Sequence, residues 1–135
     1  MSHILQLWIV VFVFFLTHQT EEIFYSIGKW HTIHSKPSWT SFIGRSLMVK
    51  LENPLKRALL VGLQCLLLSV IAFLSYGSLL ATQIVITIFL CIMLAAFIMH
   101  ITLSIATRSS MPGLSTSVFP GLPVGLFLLY VIWYM

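Results

Sequence analysis

Apolar residues occupy this chain in long blocks at 5–27, 59–79, 84–105 and 114–133, separated by short polar stretches and one longer basic one. Each block is close to the roughly 20 residues that a helix needs to cross a hydrocarbon core about 30 Å thick. Lipid offers the backbone no partner, so a spanning segment either pairs its own N–H and C=O groups as a helix or closes into a barrel. Barrel strands alternate apolar and polar residues in segments of about ten. Runs such as Leu66-Leu67-Leu68 and Ile84-Val85-Ile86 do not alternate. The pattern predicts an all-α protein: a four-helix transmembrane bundle forming a single integral membrane domain over 1–135.

The basic stretch between the first and second blocks has a pattern of its own. After Pro37, residues Trp39, Phe42, Ile43, Leu47 and Leu51 recur at helical spacing, with Ser38 in the N-cap position and Asn53-Pro54 ending the run. This predicts a short amphipathic interfacial helix over 38–52 in the first cytoplasmic loop. Its rings would lie among acyl chains and its cations among headgroups, anchoring the loop.

Composition sharpens the picture. Hydrophobic residues make up 59% of the chain and charged residues 7%, against about 25% charged in an ordinary soluble domain, which leaves no room for a separate soluble domain. Lys29, Lys36, Arg45, Lys50, Lys56 and Arg57 all fall between the first and second spans, and Arg108 falls between the third and fourth. The positive-inside bias then predicts a multi-pass protein of the cell membrane, with both basic loops cytoplasmic and both termini outside. Membrane lipids are its expected surroundings, and no nucleic-acid partner is expected. The compact apolar run 9–16 has no Lys or Arg before it, and 17–22 offers no small-residue cleavage site, so it is read as a mature helix rather than a signal peptide. Cys65 and Cys91 fall at different depths in spans two and three and are read as small core residues.

The fourth span is irregular. Pro112-Gly113 reads as a turn, and Pro120, Gly121, Pro123 and Gly125 crowd the first half of the helix. Proline removes a donor, so carbonyls one turn back lose their helical partners. Two readings compete: a packing kink whose glycines admit close helix approach, or a backbone opening that lines a cavity.

The strongest chemical signal is His18, Glu21 and Glu22 in the first span. The apolar run 7–16 is too short to cross a bilayer, so the helix is expected to continue through Glu22 and Tyr25 to Lys29. Ionisable groups inside a span cost roughly 2.5 to 3.5 kcal/mol each on insertion scales and mark function by default. Residues three and four apart share a helix face, so His18 projects beside both carboxylates. An imidazole and a carboxylate one turn apart are also what a divalent metal site in a helix bundle uses, with ligands from more than one helix. His100 in the third span supplies the second helix. It lies 8 residues from Arg108, and His18 lies 11 from Lys29, so at 1.5 Å per residue their depths agree within roughly 5 Å. Ser104 follows one turn later. The competing reading makes Glu21 and Glu22 an interfacial cap and His100 a packed core histidine. His31 and His34 are explained by interfacial anchoring beside Trp30, and they and His3 receive no role.

These residues resemble a known family. His18-Gln19-Thr20-Glu21-Glu22 matches the motif that names the HXXEE-domain family of small prokaryotic membrane proteins. His100-Ile101-Thr102-Leu103-Ser104, Arg108, Pro112-Gly113-Leu114, Thr116 and Pro120 look like its second shared region. An Asn often precedes the third-helix His in that family by about a turn, where this chain has Ala95 and Ala96. The resemblance implies an integral membrane fold and the same choice of polar residues, and it suggests a metal-dependent enzyme.

Three functions are expected to compete. In the first, an intramembrane enzyme acts on a lipid or amphiphile, as a metal-dependent hydrolase. His18, His100 and one of Glu21 or Glu22 bind a divalent metal, most simply zinc, with one position left open, and the other Glu acts as general base. A metal-free variant uses Glu22 and His100 as a proton relay. The second is a proton-coupled carrier of a small solute or lipid, expected to work as a homo-oligomer because four spans make a small carrier. The third is a non-catalytic small subunit or regulatory membrane protein.

Overall fold

The computed structural model describes residues 2–34 and 50–134, and among them the chain is all helix with no strand. Four helices are long and apolar enough to cross a membrane: α1 (His3–Phe24), α3 (Pro54–Ser75), α4 (Leu79–Thr107) and α5 (Leu114–Trp133). The chain is a multi-pass membrane protein built as a helical bundle. A short helix, α2 (Ile27–His34), follows α1. The interfacial helix expected over 38–52 falls almost wholly outside the described residues.

Local capping sets where these helices begin. Ser2 Oγ accepts from Leu5 N–H at 3.2 Å and starts α1. Tyr25 is extended (φ −109°, ψ 120°) and ends it. The helix that apolar length alone carries to Lys29 therefore breaks at Tyr25. The cause is Ser26, whose Oγ accepts from Lys29 N–H at 3.2 Å and nucleates α2. Asn53-Pro54, read from sequence as the stop of the segment before it, also opens α3: Asn53 Oδ1 accepts from Leu55 N–H at 2.8 Å, and proline suits the first helical position. Ser78 caps α4 in the same way. With 29 residues, α4 extends about 43 Å at 1.5 Å per residue, longer than the roughly 30 Å hydrocarbon core.

Val11, Phe14, Ile86, Leu90, Phe97 and Ile132 are among the most deeply buried residues of the core. The outer face of α3 presents Leu63, Leu66, Leu67, Val70, Phe73 and Leu74, as a lipid-facing helix does. At one end of the bundle, Gln83 Nε2 donates to Ile132 C=O at 2.7 Å and Thr82 Oγ1 to Ser75 C=O at 2.9 Å. At the other end, Arg57 is fully buried. It donates from Nε to Ile23 C=O at 2.9 Å and from Nη1 to Leu51 and Glu52 C=O at 3.0 and 2.7 Å. A cation there complements the partial negative charge of the α1 C-terminus.

The break in α5 is a packing kink. Phe119 is extended (φ −150°, ψ 126°) before Pro120, and the turn widens so that Leu122 N–H reaches Ser117 C=O. A Cβ on Gly125 would stand 2.8 Å from Leu94 Cδ2 and 3.2 Å from Phe14 Cζ, so its bare Cα is what lets α5 approach α4 and α1.

Candidate metal centre

Three elements meet at the Arg57 end of the bundle: the last turns of α1, the last third of α4 and the first turn of α5. Between α4 and α5, Arg108 takes a left-handed conformation (φ 50°) and its N–H returns to Ser104 and Ile105 C=O. Ser104 Oγ accepts from Met111 N–H at 3.1 Å, and Trp30 Nε1 donates to Ser109 Oγ at 2.9 Å. Ser104 thus holds this connection in place rather than facing a ligand. The loop ends at Gly113 (φ +94°), which lies flat against two imidazoles: a Cβ there would meet His100 Cε1 at 2.7 Å and His18 Cε1 at 3.0 Å.

Those imidazoles converge on one atom. His18 Nε2 stands 3.3 Å and His100 Nε2 2.9 Å from the same oxygen, Glu22 Oε1. All three side chains are buried, and their ligand atoms lie within 4.8 Å of one another. The i, i+4 spacing puts His18 over Glu22. The rings of His18 and His100 pack edge to face at 5.1 Å, with Phe97 against His18 at 4.8 Å.

The structure does not bring Glu21 into this group. Successive helical residues are rotated by about 100°, and its carboxylate turns toward α5. There it accepts from Ser115 Oγ at 3.0 Å, Thr116 N–H at 3.1 Å and Thr116 Oγ1 at 2.8 Å. Thr116 Oγ1 also stands 2.9 Å from His18 Nδ1. A hydroxyl has one proton to donate. Given to Glu21, it leaves Thr116 to accept from His18 Nδ1–H, which fixes the tautomer. A ring carrying only that proton would point its Nε2 lone pair at Glu22 Oε1, itself an acceptor. Two acceptors 3.3 Å apart repel unless a cation or a proton lies between them.

The donor set fits a metal ion. Nitrogen and oxygen ligands at about 2.1 Å from zinc stand roughly 3.4 Å apart in a tetrahedral site; the His18–Glu22 separation of 3.3 Å matches this, the His100–Glu22 separation of 2.9 Å is that of a hydrogen bond, and all three ligand atoms lie within 4.8 Å of one another. Two imidazoles and a carboxylate with one position left open is a known catalytic zinc arrangement. The contact of His18 Nδ1 with Thr116, whose hydroxyl also reaches Glu21, resembles the outer-shell support that metal-ligating imidazoles use. His100 Nδ1 has no partner among the described residues.

His18, Glu22 and His100 line the buried side of a cavity of about 480 Å³. Its walls are apolar, with Phe15, Leu68, Ile71, Phe89 and Met93 among them, and Gln19 and Gln64 add two amides. Of its lining residues, Gln64, Leu67 and Ile92 are exposed, so the cavity opens on the flank between α3 and α4. His31 and His34 lie in α2 away from the cluster, with His34 stacked on Trp30 at 5.1 Å. Sequence reasoning missed Gln19, Gly113 and Thr116 as parts of the site. The last two fall in the second region of the family resemblance, in a Gly-Leu-Ser-Thr run at the start of a broken helix.

A family model described as "Protein of unknown function with HXXEE motif" matches residues 8–133. Neither the comparison with curated proteins nor that with solved structures gives a match.

Proposed function

The chain belongs to the family of proteins with the HXXEE motif, and on that premise we propose that it is an intramembrane, divalent-metal-dependent hydrolase of a lipid or other amphiphile. The observation that carries this reading is the convergence of two imidazole Nε2 atoms on Glu22 Oε1 at the buried side of an apolar cavity open to the bilayer. His18, Glu22 and His100 hold the ion, with zinc the simplest match to the donors. When bound, the ion supplies Lewis acidity for attack by water on a carbonyl. Glu21 acts through Thr116 as a positioning residue, fixing the His18 tautomer and ring plane. The apolar walls exclude bulk water and so strengthen every charge interaction within. The distribution of Lys and Arg along the sequence supports placing the site in the cytoplasmic half of the membrane, with both termini outside.

The test is metal analysis of the protein purified without chelator. About one zinc per chain is expected, falling to background in His100→Ala, as loss of one ligand in a three-ligand site implies. A metal-free protein whose activity resists chelation would overturn the reading in favour of the proton relay. Thr116→Val is expected to weaken zinc binding by about 10- to 100-fold, the usual effect of losing an outer-shell partner, and Thr116→Ser to restore it. Competition titration against a chelator measures both.

A proton-coupled carrier is the second reading, favoured by the broken helix α5 set against an intramembrane carboxylate. Uptake into proteoliposomes driven by a pH gradient, in a protein free of metal, would select it.

A further inference from the structure

We propose that the cavity binds a single-chain amphiphile with an uncharged head carrying an N–H or O–H group, entering sideways from the bilayer between α3 and α4. The inference deepens the reading of the site as an intramembrane metal centre and rests on it for the reaction, though not for binding.

Four observations carry it. The mouth is formed by exposed Leu67, Ile92 and Gln64, and it is continuous with the exposed apolar face of α3 at Leu63, Leu66 and Val70. A molecule arriving there comes from among acyl chains. The volume of about 480 Å³ lies within the range that encloses one drug-sized ligand, which suits one chain better than two. Among the described residues that line the cavity there is no Lys or Arg, and Glu22 is the acidic one. A phosphate or carboxylate head, which proteins meet with Arg or Lys, would find neither among the lining side chains and would depend on the ion alone. Finally, Gln19 is among the residues that line the cavity, and its Oε1 is buried with no hydrogen-bond partner among the described residues. A buried amide oxygen left unpaired is costly, and a donor on the ligand head satisfies it. Gln64 at the mouth offers a second amide. The Gln19 amide is one turn of α1 from the metal ligand Glu22, so a head held by it lies beside the ion.

The experiment uses the full chain in nanodiscs and a monoacylglycerol carrying a photoreactive diazirine on its acyl chain, with labelled peptides mapped by mass spectrometry and zinc measured in the same samples. Label is expected on the α3 and α4 segments that line the cavity. Unlabelled monoacylglycerol is expected to compete at least about tenfold better than lysophosphatidate of the same chain length, the value of one charge-assisted or buried hydrogen bond. Gln19→Leu is expected to weaken that competition roughly fivefold to tenfold. Leu67→Trp, on the lipid-facing surface, and Ala96→Phe, inside the cavity, should each suppress the label while zinc content stays unchanged. Equal competition by lysophosphatidate overturns the uncharged head. Absence of label from these segments, or full labelling of both blocking variants, overturns lateral entry. Zinc without label refutes this proposal alone, whereas label without zinc supports it and refutes the metal reading alone.

Discussion

Glu22→Gln is expected to remove bound metal from the purified protein, whereas Glu21→Gln, one residue away, leaves it weakened but present. The side chains are the same size before and after the change, so packing is conserved and charge and ligation are what differ. Glu22 Oε1 is the atom that both imidazoles approach, at 3.3 and 2.9 Å. An amide there puts a neutral group where the ion's charge has to be balanced in a poorly solvated interior. The affinity loss should therefore exceed the roughly 10- to 100-fold that loss of an outer-shell partner produces. Glu21 touches Ser115 and Thr116 and reaches His18 through a hydroxyl, so its loss should fall within that lower range. Zinc titration and the absorption of the cobalt-substituted protein read both variants without any need for a substrate. Equal losses for the two carboxylates would sink the assignment of ligand and positioning roles.

The second large effect is expected at Gly113. In Gly113→Ala, a methyl group enters 2.7 Å from His100 Cε1 and 2.9 Å from its Nδ1, with His18 Cε1 at 3.0 Å. The residue must also hold φ at +94°, a region that costs an L-residue about 1–2 kcal/mol. Overpacking of a filled interior adds about 1–3 kcal/mol. Neither ring can retreat freely, because His18 is held by Thr116 on one side and Phe97 on the other. Destabilisation of about 2–5 kcal/mol is expected, together with loss of zinc even though no ligand has been changed. Thermal unfolding in detergent and metal content measure the two parts. An unaltered melting temperature with a full complement of zinc would show that the glycine does not brace the imidazoles.

The fold was legible because a bilayer imposes few choices: long apolar blocks have to be helices, and 59% hydrophobic residues leave little else. Helix boundaries were less legible, for local reasons. Apolar length argued for continuing α1 to Lys29, but Ser26 caps a new helix in the middle of that stretch. Asn53-Pro54 was read as a stop alone, and the bond from Leu55 N–H to the Asn53 carboxamide shows that the pair also begins the next helix. Within the site, spacing and depth led to His18, Glu22 and His100, which the structure holds together. Spacing alone had no means of separating Glu21 from Glu22. Both share a face with His18, and what separates them is Thr116, 95 positions further along the chain. Arg57 was read as a topology residue like Lys56, because nothing local marks one of two adjacent cations as the one that turns inward to three carbonyls.

Apart from His18, the partners of the acidic pair are encoded late. Glu22 is answered by His100 as well as by its own helix, and Glu21 is answered by Ser115 and Thr116. α1 is therefore made before most of the groups that satisfy its carboxylates. Until α4 and α5 have been made, α1 carries two carboxylates with no distant group to receive them, so the hydroxyls and the imidazole that hold them in the finished bundle all arrive after the helix they hold.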